Sequence, residues 1–173
     1  MSDIPHNQQK EFLTHYHQYF PAIFRYVSFR IGNRSDVEDV VSDVFLKAVE
    51  HYTRYQARPD ISFSSWIFKI AKNTIIDYYR KHKRKNINIE DIGELADSNL
   101  PPDTILDQKM IFLKTREIIE TLPKKQKEIV TLRLFGELQN KEIAQVLSLS
   151  EKTVASTYMR AMRKVSSHIN PFI

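Results

Sequence analysis

The chain has 173 residues, 42% hydrophobic and 27% charged, enough apolar material for one medium domain or two small ones and too much for a disordered chain. Its net charge of +5 makes an anionic partner plausible, and its lack of cysteine excludes disulfides, thiolate metal sites and cysteine nucleophiles. No run approaches the roughly 18 apolar residues of a membrane span, and residues 1–10 lack the apolar core of an export signal, so a cytoplasmic chain without membrane insertion is expected.

Only three glycines occur, Gly32, Gly93 and Gly136, and apolar residues recur at helical spacing, which predicts an all-α fold. The first segment carries Phe12, Tyr16, Tyr19 and Phe20 before Pro21, and Ile23, Phe24, Val27 and Ile31 after it, a helix expected to break or kink at the proline and to end at Gly32. Ser35 and Glu38 have the spacing of a capping box, from which a second helix runs to about Tyr52. A loop containing Pro59 follows, then a helix from about Phe63 to Lys85 with Ile67, Ile70, Ala71, Thr74, Ile75 and Tyr78 on one buried face. Residues 86–108 hold six acids, no Lys or Arg and the pair Pro101–Pro102, which predicts an acidic, flexible linker. Helical spacing resumes with Leu106, Met110, Leu113 and Ile118. Pro123 suits the start of the next helix and Gly136 its end. Two short helices complete the chain, one over about Asn140–Leu147 and one capped by Ser150.

That last pair has the pattern of a helix-turn-helix. Ile143, Ala144 and Leu147 face inward on the first helix and Val154, Tyr158, Met162 and Val165 on the second. Lys152, Ala155, Ser156, Met159, Arg160 and Arg163 are left outward, where they can meet bases and phosphates in a major groove. An ordinary helical hairpin with a solvated basic face fits the same spacing. On the helix after the loop, Trp66, Lys69, Asn73 and Arg80 share a face with Lys72 beside it, and residues 69–85 hold seven Lys or Arg against Asp77. Rings interleaved with cations suit single-stranded nucleic acid, because rings stack on unpaired bases while cations hold phosphates. The alternative is that Phe63 and Trp66 are core and the basic run is a solvated helix end.

The second helix has the opposite sign: Asp36, Glu38, Asp39, Asp43 and Glu50 against Lys47. Asp36, Asp39 and Asp43 align on one face, and an acidic stripe on a basic protein fits a partner with a basic surface. A magnesium-dependent nuclease site is the rival reading of these carboxylates, and a solvated face the plainest one. The six histidines are scattered without a ligand pattern, and no GxSxG elbow occurs, so no catalytic residue and no cofactor is expected.

The joint pattern resembles a bacterial RNA polymerase sigma factor of the extracytoplasmic-function group of the sigma-70 family. RSDVEDVVSDVFLKA (34–48) is similar to the family's polymerase-binding helix, FSSWIFKIAKNTIIDYYRKHKR (63–84) to its promoter-melting helix, and LPKKQKEIVTLRLFGELQNKEIAQVLSLSEKTVASTYMRAMRKV (122–165) to its terminal domain. The resemblance implies a region 2-like domain over residues 8–85, a linker over 86–105 and a region 4-like helix-turn-helix domain over 106–173. It places Asp36, Glu38, Asp39, Asp43 and Phe45 against a coiled coil of the polymerase's largest subunit. It places Tyr55, Phe63, Trp66, Lys69, Lys72, Asn73 and Arg80 at the minus-ten element, where a flipped base enters a pocket. Lys152, Thr153, Ala155, Ser156, Met159, Arg160 and Arg163 fall at the minus-thirty-five element. Core polymerase (coiled coil and flap), duplex and melted promoter DNA and an anti-sigma factor are the implied partners. Two departures stand out. The turn has Ser148 where the family often has glycine, at a cost of roughly 1 kcal/mol if the backbone is left-handed. Ala155 and Thr157 stand where many relatives are basic. A stand-alone helix-turn-helix regulator is the nearest alternative function.

Overall fold

The computed structural model describes residues 6–58, 60–82 and 114–169. The described residues build seven helices: α1 (His6–Arg30), α2 (Arg34–Gln56), α3 (Phe63–His82), α4, of which residues 114–120 are described, α5 (Lys124–Leu134), α6 (Asn140–Leu147) and α7 (Glu151–Ile169). The acidic linker lies outside the described residues.

Helix α1 runs unbroken through Pro21, contrary to the expected break. Proline removes one backbone bond, to the carbonyl four residues earlier. Here both Pro21 and His17 are exposed, so water can satisfy that carbonyl while the opposite face, with Ile23, Tyr26 and Val27 fully buried, holds the helix in place. Helix α2 starts two residues earlier than the serine cap implied. Asn33 is its N-cap, and its Oδ1 accepts from the Asp36 N–H at 3.2 Å. Gly32 does not end α1 in a left-handed turn, since no glycine among the described residues has positive φ.

Helices α1, α2 and α3 pack around Val37, Val41, Val44, Ala48, Ile67, Ala71 and Ile75, all buried. Of the stripe expected on α3, only Ile70 is partly exposed. The C-terminal helices have their own apolar centre, in which Ile119, Leu122, Val130, Ala161 and Val165 are joined by Phe29 of α1. The α6 and α7 boundaries agree with the sequence expectation, and Ser150 Oγ accepts from the Thr153 N–H at 3.1 Å as the cap of α7.

The turn between α6 and α7 keeps the left-handed backbone at Ser148, with φ 54° and ψ 48°. A Cβ there costs roughly 1 kcal/mol that glycine avoids. Ser148→Gly should therefore raise unfolding stability by about 1 kcal/mol. Thermal and urea melts of the variant beside the parent chain measure it, and an unchanged midpoint would mean that the serine is accommodated without strain.

Candidate nucleic-acid interface

On α2 the five residues placed against polymerase separate by surroundings. Asp39 and Asp43 are exposed. Asp36 is half-buried and accepts from the Tyr78 hydroxyl of α3 at 2.7 Å. Glu38 pairs with Arg34 at 3.0 Å. Phe45 is buried, 6% exposed, with Tyr16 and Phe20 against its ring. The Tyr78 hydroxyl is pushed well above its ordinary range by burial and by the Asp36 carboxylate that it serves as donor. Asp36 thus joins α2 to α3.

The sequence reading missed the apolar companion of this acidic face. Leu46 is 60% exposed and Leu13 of α1 54% exposed, and with Phe12, Tyr16, Phe45 and Val49 they line a groove of about 620 Å³ between α1 and α2. Its signal was present: Leu46 follows Asp39 and Asp43 by seven and three residues, on the acidic rather than the core side of the helix. A second, polar cleft of about 400 Å³ lies between Asp36, Asp39 and Asp43 of α2 and Asp77, Lys81 and His82 of α3. Among the described residues, no group of three or more His, Asp or Glu side chains could hold a metal ion, and Asp36 is already committed to Tyr78.

Phe63 opens α3 on its buried side. It is 4% exposed and enclosed by rings: His15 stacked at 4.0 Å, Tyr19 at 5.2 Å, Trp66 at 5.4 Å and Tyr55 at 5.5 Å. Beside it Tyr52 is fully buried, and burial with the nearby Glu11 carboxylate pushes its hydroxyl up to about 12. Burial lowers the His15 imidazole against Phe63 below its usual value, so it sits there as a neutral ring. On this aromatic floor Tyr55 and Trp66 stack on one another at 4.6 Å, both half-exposed. Tyr55 belongs to the end of α2, not to the loop. Lys69 and Asn73 continue the face in the open and Lys72 flanks it half-buried. Arg80, exposed, pairs with Asp77 at 3.1 Å.

On α7, Lys152, Ser156, Met159, Arg160 and Arg163 are exposed, Met159 by 56%, and Ala155 is half-exposed. Thr153 is half-buried and shares a hydroxyl contact with the capping Ser150 at 2.8 Å. Thr157 is 6% exposed, on the packing side of α7. The guanidinium of Arg133 lies 5.9 Å from the Tyr158 ring centre and donates to the Leu138 carbonyl at 2.9 Å, tying α5 to α7. No described helix is long and apolar enough to cross a membrane.

Comparison with known proteins agrees with this layout. The family model Sigma-70 region 2 matches residues 15–85 and the model Sigma-70, region 4 matches residues 112–165. The chain is 30% identical over 148 residues to the RNA polymerase sigma factor SigZ of Bacillus subtilis, covering 86% of this chain and 81% of that one. It is 29% identical over 157 residues to the ECF RNA polymerase sigma factor BldN of Streptomyces coelicolor, covering 87% of this chain but 57% of that longer protein. It shares the fold of the sigma factor RpoE from Bartonella quintana, solved in complex with the anti-sigma factor NepR, at a TM-score of 0.71 and 16% identity over 95% of this chain and 99% of that one. With both regions matched in order and a relative at 30% identity over four-fifths of its length, the chain belongs to the extracytoplasmic-function group of the sigma-70 family, whose members bind and direct RNA polymerase and are not enzymes.

Proposed function

We propose that this sigma factor directs promoter-specific initiation through three surfaces of different character on two helical domains, residues 8–85 and 106–173, joined by the acidic linker over 86–105. Asp39 and Asp43, with Leu46 and the neighbouring groove as apolar anchor, grip a basic coiled coil of core RNA polymerase. The Tyr55–Trp66 stack, Lys69, Lys72 and Asn73 receive the melted nontemplate strand of the minus-ten element. There the rings stack on bases and the cations neutralise phosphates, offsetting the few kcal/mol needed to take a base out of the duplex. Helix α7 lies in the major groove of the minus-thirty-five element as the second helix of a helix-turn-helix. Ala155, Ser156, Met159 and Arg160 face base edges, and Lys152 and Arg163 the backbone.

The observation that carries this reading is the contrast of two faces on one three-helix unit, exposed acids on α2 and, elsewhere, the half-exposed Tyr55–Trp66 stack beside the cations of α3. A stand-alone DNA-binding regulator has no use for the acidic face. The chain works in the cytoplasm, with core polymerase. By analogy with RpoE, which was crystallised with NepR, an anti-sigma factor that covers the polymerase-facing surfaces restrains it.

Reconstitution tests the whole. Core polymerase and genomic DNA from the same bacterium, incubated with the purified chain, should yield RNAs whose sequenced 5′ ends share upstream elements near minus ten and minus thirty-five. RNA ends that match those made by core enzyme alone would overturn the reading.

A further inference from the structure

Helix α3 carries an exposed aliphatic side chain that the three surfaces above leave unused. Ile76 is 50% exposed, while its neighbours Ile75 and Tyr78 are buried. The Tyr78 hydroxyl donates to Asp36 of α2 at 2.7 Å, so the helix cannot roll to bury Ile76. A lone exposed isoleucine is ordinary on a protein surface, but this one has unusual company. Lys69, Asn73, Ile76 and Arg80 follow the i, i+4, i+7, i+11 spacing of one helix face, and Lys72 lies four residues before Ile76. Lys69, Asn73 and Arg80 are exposed and Lys72 is half-buried. Asp77 offsets part of the Arg80 charge at 3.1 Å. An aliphatic group thus stands in the middle of a cationic face directed at promoter DNA.

The surroundings decide what such a group can meet. A polar or cationic side chain at this position would gain a phosphate contact that isoleucine forgoes, and a protein partner here would have to accommodate Lys69, Lys72 and Arg80 as well. Nucleic acid accommodates the cations. In the major groove, which admits an α-helix, the apolar feature of the base edges is the C5-methyl group of thymine. Isoleucine suits that contact, because a β-branched side chain in a helix keeps one χ1 rotamer about 90% of the time and so loses little freedom on binding.

The place along the DNA follows from helix geometry. Ile76 is ten residues beyond Trp66, about 15 Å at ~1.5 Å per residue, or roughly four nucleotide steps at ~3.4 Å each. With Trp66 stacked on an unpaired base, and with the chain beyond α3 leading to the domain that holds the minus-thirty-five element, Ile76 falls on the upstream side, where the strands are still paired. We infer that Ile76 is a specificity-determining residue: it packs on the C5-methyl of a thymine about four base pairs upstream of the first unpaired base, and adds a preference for a T·A pair at that position. The inference rests on the surface assignment above.

Deoxyuridine in place of thymidine removes the methyl group and nothing else. Fork templates are built from a promoter found by the reconstitution, paired upstream and unpaired from the minus-ten element on. A T·A pair, in either orientation, is placed in turn at each position from about two to six base pairs upstream of the first unpaired base, and compared with its deoxyuridine counterpart for binding to the chain in complex with core polymerase. At one position thymidine should be held about fourfold more tightly, the worth of one buried methyl group. Ile76→Ala places a good helix former at an exposed site, so its thermal melt should match the parent's. Its complex should bind the thymidine and deoxyuridine templates equally. No difference at any position, or a difference that survives Ile76→Ala, overturns the inference. Loss of core-polymerase capture by Ile76→Ala without DNA also overturns it and gives the side chain to a protein contact. A parent complex with no preference for the fork over a scrambled one overturns the surface assignment and the inference together, whereas one that prefers the fork and ignores the methyl group overturns the inference alone.

Discussion

Reversing both acids, Asp39→Lys with Asp43→Lys, is expected to abolish recruitment of core polymerase, lowering affinity by about 100-fold or more, since like charges brought together at an interface cost several kcal/mol. Both side chains are exposed, so the variant should melt within a few degrees of the parent, and the loss belongs to binding. Affinity for a minus-thirty-five duplex should be unchanged, because α7 is on another unit. Changing Asp36 makes the contrast. Its carboxylate holds the Tyr78 hydroxyl, so Asp36→Ala should cost about 1–2 kcal/mol of stability by leaving a largely buried hydroxyl unpaired. Titration of labelled chain with core enzyme distinguishes the two. Intact recruitment after double reversal would return the acidic face to a solvated surface and favour a stand-alone regulator.

The second large effect is expected at Trp66. Stacking of an unpaired base on an aromatic ring is worth about 1–3 kcal/mol, so Trp66→Ala should reduce open-complex formation by about 5- to 150-fold while core binding stays intact. The ring is partly exposed and stacked on Tyr55, and the floor beneath is formed by Phe63 and Tyr52, so the fold should survive the truncation. Permanganate footprinting of unpaired thymines reports the opening step. A premelted fork template should rescue part of the loss, because the cost of separating the strands is already met. Equal loss on fork and duplex templates would place Trp66 outside the melting step.

Much of the architecture was legible because helices are written locally. The α6 boundaries, the Ser150 cap and the buried faces of α2 and α3 follow from a 3.6-residue period and from side chains able to accept an orphan N–H. The errors share a cause. Ser35 and Asn33 are both competent caps, and only the path of the chain out of α1 selects Asn33. Pro21 is a breaker by its own chemistry, yet the burial of Ile23, Tyr26 and Val27 holds α1 through it. Neighbouring helices likewise enclose the rings of Phe45 and Phe63.

By itself the sequence determined an all-α chain, a basic and aromatic helix, an acidic one and a terminal helical pair, because charge, ring content and apolar period are properties of neighbouring residues. Tertiary structure alone decided which acids remain open, which rings are floor and which are surface, that Leu13 and Leu46 form an apolar groove beside Asp43, and that α6 and the turn before it pack on α3 through Glu142 and Gly136. The physical reason is distance along the chain. Ser64 and Glu142 are 78 residues apart, and their contact depends on how whole helices pack, which no local window of sequence encodes.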